Sequence, residues 1–320
     1  MVKKTATAQQ LVKSSYTKPM NTHVDVIIIG GSYAGLAAAM SLGRSLRTVL
    51  VIDSGNPCNK QTPHSHNFIT HDGESPATIA EKAKAQVLHY KTISFINGRV
   101  TRAEKNDQVF DIETEKGEVF HAEKLIFATG LKDVMPEIKG FSECWGISVL
   151  HCPYCHGYEF RAEKTGILAN GDLAFESCRM ISHWTKELTL FTNGASTLSP
   201  EQTALIRKRN IEIIQTEISA LEHTNGHLEL VVLKDGNRHS LRALYARPQF
   251  HQHCNLPEKL GCELTEQGLI KTDMLQKTNV TGVYVAGDST NWGRAVSLSV
   301  ASGSMAGMSC NRDMIEEKFL

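Results

Sequence analysis

Cys152-Pro153-Tyr154-Cys155 places two thiols three residues apart at the opening of a helical turn, a spacing that can close into a short disulfide. The thiolate is the attacking species in thiol–disulfide exchange. A helix N-terminus and a neighbouring base lower a thiol pKa from its usual value of about 8.5. His151 and His156 flank the pair directly, so an acid/base group is built in. Half a zinc site is another reading, since one C-x-x-C supplies two of four ligands and His251, His253 and Cys254 could be the rest. A glutaredoxin-like motif is a third, but that fold carries its motif near the start of a short domain. With no second C-x-x-C in the chain, a redox pair and no metal is the expectation.

The second chemistry-bearing string is Gly30-Gly31-Ser32-Tyr33-Ala34-Gly35. Gly30 allows a tight turn, small Ser32 lets backbone approach a pyrophosphate, and Gly35 lets helix and strand pack closely. A helix N-terminus there would offer free N–H groups and a positive dipole end to phosphates. Asp53, about 20 residues on, is placed to bind ribose hydroxyls. Ser32 in place of the second glycine is the one departure, small in bulk.

These strings need elements to position them. The apolar run Val24–Ile29 reads as a buried parallel strand, Leu36–Leu46 as a helix and Thr48–Ile52 as a second strand. Ser75-Pro76 predicts a helix start, with the helix running to about His89. Short strands follow from Ile93 to Phe127, and Lys124–Gly130 is a strand ending in a glycine. A second strand–helix–strand pattern begins near Thr165: strand Gly166–Ala169, helix Asp172–Trp184, strand Leu188–Phe191. Ser199-Pro200-Glu201-Gln202 is a capping box. Gly282–Asp288 is a late strand with a glycine turn, and a Ser-, Ala- and Gly-rich helix follows from about Arg294.

Composition narrows the function class. The 320 residues carry 34 Lys+Arg against 34 Asp+Glu, so no basic surplus marks a nucleic-acid binder. With 41% hydrophobic residues the chain can bury a sizeable core. No apolar run approaches the ~18 residues that cross a bilayer. Eight cysteines in a chain this long are too sparse for a disulfide-stapled secreted domain and fit a reducing, cytoplasmic setting. Residues 1–23 are mostly polar, lack the apolar core of a secretory signal, and read as a disordered tail. Met20 is the expected native start, and a native extension is the alternative.

In order along the chain, Gly30–Gly35, Ala128-Thr129-Gly130, the Cys152/Cys155 pair and Ala286-Gly287-Asp288 resemble the low-molecular-weight thioredoxin reductases. These are FAD-dependent pyridine nucleotide-disulfide oxidoreductases. The resemblance runs from about Asp25 to the C-terminus. It is nearest the branch of small-molecule dithiol oxidases, where His-Gly follows the pair, as His156-Gly157 does here; ordinary members carry an Asp. It implies an α/β fold of two Rossmann-like modules, the second inserted into the first. The FAD-binding domain would span 24–148 and 248–320, and the inserted NAD(P)-binding-like domain 149–247. It implies FAD held by Gly30, Ser32, Tyr33, Ala34, Gly35, Asp53, Thr129, Gly130, Gly287, Asp288, Arg294 and Ala295. Cys155 would lie against the flavin as the charge-transfer thiolate. Cys152 would exchange with the substrate, and His156 would be the acid/base. A homodimer is implied as well. The substrate would be a small-molecule dithiol or a thioredoxin-like protein.

The chain departs from the family in its second module. A G-x-G-x-x-A turn for NADPH is replaced by Ala169-Asn170-Gly171-Asp172-Leu173-Ala174, and a methyl group at Ala169 crowds the turn. Where a basic cluster would hold the 2′-phosphate, Thr192-Asn193-Gly194 has no Arg or Lys. Each lost charge-assisted bond is worth roughly 1.5–3 kcal/mol. The use of NAD(P)H is therefore left open. The expected activity is FAD-dependent thiol–disulfide exchange with an unusual electron partner such as oxygen. An NADPH-dependent thioredoxin-disulfide reductase and a non-catalytic flavin redox sensor are the alternatives. His64, His66 and His71 read as solvated loop histidines, or as residues bordering flavin or metal. His251 and His253 could supply a second acid/base group.

Overall fold

The computed structural model describes residues 22–320, so the expected tail lies, up to residue 21, outside the described residues. The chain divides into two compact units. One comprises the described residues up to Lys60, Ala77–Lys132 and His251–Leu320. The other comprises Gln61–Pro76 and Asp133–Phe250. The first unit is thus discontinuous. Its edges fall at residues 132 and 251, where the sequence suggests 148 and 248, and the segment 61–76 belongs to the other unit.

The first unit is built on a seven-stranded sheet. Ile93–Asn97, Val49–Asp53, His23–Ile29 and Val119–Phe127 run side by side and parallel. The chain crosses between them through helices Tyr33–Arg44 and Pro76–Val87. Val119–Phe127 is long enough to pair twice on its other edge. Its first half meets the antiparallel strand Val109–Thr114, and its second half meets the parallel strand Val283–Val285. Val26–Ile29 and Leu50–Ile52 are almost fully buried, as the unbroken apolar runs demand of central parallel strands.

The first helix packs on the last, Val296–Phe319, through small residues. A Cβ on Gly303 would stand 2.0 Å from the Ala34 carbonyl oxygen, and one on Gly307 2.6 Å from that of Ala38. The Ser/Ala/Gly composition of the last helix is thus what lets two backbones touch.

The second unit holds a five-stranded sheet in the order Glu212–Ile214, Leu188–Phe191, Thr165–Leu168, Ala243–Ala246, Val149–Leu150, with every pairing parallel. A three-stranded antiparallel sheet, Ile218–Thr224, His227–Leu233 and Arg238–Ser240, accompanies it. Helix Gly171–Ile181 follows Thr165–Leu168. Helix Pro200–Lys208 starts at Ser199 with both halves of the capping box formed. Each unit therefore carries the α/β Rossmann-like pattern. Among the described residues no helix is long and apolar enough to cross a membrane.

Candidate functional site

In the second unit Cys152 and Cys155 form a disulfide, with Cα atoms 5.3 Å apart. The turn Pro153–His156 is only four residues long, too short for a large dipole. The specific contact is instead a hydrogen bond within the pair: Cys152 Sγ accepts the Cys155 N–H at 3.2 Å, a donor placed where it would support a thiolate. Proline at the first position fixes the turn's φ and removes an N–H that would lack a partner. Gly157 packs where a side chain could not, since a Cβ would lie 2.4 Å from the Pro153 carbonyl oxygen and 2.8 Å from Trp184.

His156 follows directly. Burial, with His151 and then His66 adding to it, pushes its imidazole down to about 4, so the ring is neutral at physiological pH. The His66 ring lies 6.2 Å from that of His156, edge to face. His66 belongs to a loop tied to this unit: Gln61 donates to the carbonyl of Ser142 at 3.0 Å and also to that of Trp145. Ser65 and Glu74 bridge the loop's base. Sequence reasoning leaves His64 and His66 as solvated or flavin-bordering loop residues. The fold brings His66 to the dithiol turn, and no local spacing signals that approach. His251 and His253 fall in the first unit, where burial lowers the pKa of His253, with Arg99 and Lys132 adding to the effect. The other cysteines are thiols: Cys144, Cys178, Cys262 and Cys310 are buried, Cys254 is half-buried and Cys58 exposed.

The predicted dinucleotide residues gather in the first unit. Gly30, at φ +104°, leaves the strand in a turn where a Cβ would stand 2.3 Å from the Ala128 carbonyl oxygen. Gly35 presses on Gly30, with only 1.8 Å to the Gly30 carbonyl oxygen. Asp53 accepts the Gly31 N–H at 2.9 Å through one oxygen and the Gly55 N–H at 3.1 Å through the other. Ser32 caps the first helix without a side-chain bond, and no acid occupies its first turn. Ala295 does the same for the last helix, which begins at Val296 rather than Arg294. Arg294 turns to Asp288 at 3.4 Å, and Ser299 donates to Asp288 at 3.2 Å. Gly287 lies against Ala34, 3.1 Å from where its own Cβ would be, and donates its N–H to Ser302. Thr129 Oγ1 is buried with no hydrogen-bond partner among the described residues. Two long helices with uncapped N-termini, an orphaned buried hydroxyl and glycines packed to the backbone fit a pyrophosphate-bearing dinucleotide.

The second unit's corresponding turn is different. Asn170 caps helix Gly171–Ile181, and its Oδ1 accepts the N–H groups of Gly171 and Thr197 and the Thr197 hydroxyl, at 2.9, 2.8 and 3.1 Å. Its Nδ2 donates to the Ala195 carbonyl at 2.8 Å and reaches that of Thr192 at 3.4 Å. Asp172 adds a carboxylate to the first helical turn, where Gln202 donates to it.

Comparison with known proteins agrees with this architecture. Residues 24–306 match the family model of the pyridine nucleotide-disulphide oxidoreductases. The chain is 31% identical over 307 residues to thioredoxin reductase tcpT of Claviceps purpurea, covering 92% of this chain and 95% of that protein. It is 32% identical to thioredoxin reductase aclD of Aspergillus oryzae, covering 88% and 93%. The crystal structure of an oxidoreductase from Agrobacterium tumefaciens superposes with a TM-score of 0.86 at 38% identity, covering 92% and 99%. The chain belongs to the pyridine nucleotide-disulphide oxidoreductase family. It is a thioredoxin-reductase-like enzyme acting on sulfur groups, in a family whose cofactor is FAD.

Proposed function

We propose that the chain is an FAD-dependent oxidase of small dithiols, with oxygen as final electron acceptor. One observation carries this reading: the second nucleotide turn is bonded to its own chain through Asn170. An NADPH pyrophosphate would have to displace those bonds, meet Asp172 and find no cation at Thr192-Asn193-Gly194.

In the first step a substrate thiol gives its proton to His156, and its thiolate attacks Cys152 Sγ. The enzyme S–S bond breaks and Cys155 leaves with the electron pair as a thiolate. The second substrate thiolate then attacks the substrate sulfur of the mixed disulfide and releases Cys152 as a thiolate. The Cys155 N–H supports that leaving charge. Substrate departs as a disulfide, and the enzyme pair is left as a dithiol. FAD would be held by Gly30, Ser32–Gly35, Asp53, Thr129, Gly130, Gly287, Asp288, Arg294 and Ala295, and when bound would supply a two-electron acceptor for that dithiol. Two electrons and two protons reduce oxygen to hydrogen peroxide. A cytoplasmic homodimer belongs to the same reading.

The second reading, an NADPH-dependent thioredoxin-disulfide reductase, is favoured by the names of the fungal relatives. Anaerobic absorbance titration of the FAD-loaded protein separates the two. Dithiothreitol is expected to bleach the flavin, air to restore it and NADPH to leave it oxidised. Rapid bleaching by NADPH would overturn the oxidase reading, and no bleaching by either reagent would point to a redox sensor.

A further inference from the structure

A proton taken by His156 has no comfortable resting place there, because the half-buried ring lies near two other histidines. The fold supplies another group close by. His66 is about four-fifths buried and lies between two carboxylates, with its Nε2 3.6 Å from Glu159 Oε1 and its Nδ1 3.8 Å from Asp72 Oδ1. Glu159 comes from the dithiol segment and Asp72 from the loop that carries His66. Asp72 is mostly exposed, so this end of the chain of groups reaches water. The titratable neighbours of His66 are these two carboxylates, His156 and His64, whose ring lies 6.3 Å away. His64 is already engaged through Nδ1 with the Gly73 carbonyl at 2.9 Å and serves to close the loop.

The loop is held in an uncommon shape that keeps His66 in place. Asn67 and Thr70 both adopt positive φ, +58° and +72°, and for a β-branched residue this is costly. The Asn67 N–H donates to Asp72 at 2.7 Å, so the same carboxylate that faces His66 also fixes the loop.

We propose that His66 is the proton exit of the dithiol site, a positioning residue that acts through His156. The proton that leaves the attacking substrate thiol passes from His156 to His66 and then to solvent beside Glu159 and Asp72. His156 is thereby returned to its neutral form before the second thiol is ionised. No electrons move in this transfer: one N–H bond on His156 breaks and one on His66 forms. The proposal rests on the dithiol-exchange reading above.

The test measures anaerobic reduction of the Cys152–Cys155 disulfide in the FAD-loaded protein by dithiothreitol from pH 5 to 9. Newly formed thiols are counted by alkylation and mass spectrometry, a readout independent of flavin absorbance. His66→Gln is expected to slow reduction roughly 10–100-fold at pH 7, part of the span general acid/base catalysis covers. The loss should shrink as pH rises and the thiolate forms unaided, and added imidazole should restore much of the rate. Glu159→Gln, a change at a partly exposed position, is expected to give a smaller loss with the same pH trend; it serves if His66→Gln does not fold. A loss equal at every pH and untouched by imidazole would mean His66 only holds the loop, and the proposal fails. A wild-type rate in both variants, with His156→Gln slow, would mean His156 works alone. Wild-type rates in all three would remove acid/base catalysis from the site, and that part of the exchange reading with it.

Discussion

Asn170 and Thr197 are joined twice, with one side-chain oxygen of Asn170 accepting both the backbone N–H and the hydroxyl of Thr197. The same oxygen caps the helix that follows, and the amide nitrogen holds the carbonyl of Ala195. Asn170→Ala removes a helix cap and the loop's anchor together. A cap is worth about 0.5–2 kcal/mol and each net hydrogen bond about 1 kcal/mol. A total loss of about 2–4 kcal/mol is expected, seen as a clear drop in thermal midpoint. NADPH should still leave the flavin oxidised, because opening the turn supplies no cation. An unchanged midpoint would show that the loop does not depend on this residue.

Gly303 and Gly130 are glycines for different reasons, and alanine separates them. At Gly303 a methyl group would stand 2.0 Å from the Ala34 carbonyl oxygen, so the first and last helices must part. Both carry the uncapped N-termini assigned to the dinucleotide. Gly303→Ala should lower stability by about 2–4 kcal/mol and leave the purified protein short of FAD. Gly130 has φ +67° and no chain atom within 4 Å of a Cβ, so in the apoprotein Gly130→Ala costs only backbone strain of about 1–2 kcal/mol. Thermal midpoints of the two variants stripped of FAD check the contrast; equal losses would contradict it.

The two cysteines should differ in reactivity once separated. Cys152 Sγ receives the Cys155 N–H, a bond that persists when Cys155 becomes serine. Cys155→Ser is expected to react readily with an aromatic disulfide reagent and to keep the mixed disulfide, since no resolving thiol remains. Cys152→Ser should react about tenfold or more slowly, lacking that thiolate stabilisation. Mass spectrometry of the adducts decides, and the reverse order would exchange the two assigned roles.

Much of this arrangement is legible in the sequence where function lies in contiguous strings. Gly30–Gly35 and Cys152–His156 each define their geometry within a few residues, and strand, turn and helix follow from period and glycine placement. Ser199 and Gln202 form a capping box because both halves of that device are local. Asn170 is different: in a glycine-turn frame it occupies a filler position, and its bonds to residues 192–197 exist only once the sheet has formed. His66 is hidden for the same reason, since only tertiary closure of the 61–76 loop onto the second unit brings it to His156. Arg294 is read as opening the last helix; its pairing with Asp288 instead leaves Ala295 extended as the cap.

The neutral state of His156 has a measurable consequence for stability. Its folded-state pKa, about 4, lies below the value of 6.5 for an exposed imidazole. Between those values the unfolded chain binds a proton that the folded chain refuses. Folding stability attributable to this residue is therefore intact above pH 6.5 and declines as pH falls towards 4. His156→Gln removes the titration, so the variant should lose less stability than wild type across that window, by about 1–3 kcal/mol. Thermal midpoints of both proteins at pH 7, 6, 5 and 4.5 would show the curves converging or crossing on the acid side. Parallel midpoint curves would mean that the ring is solvated and titrates normally.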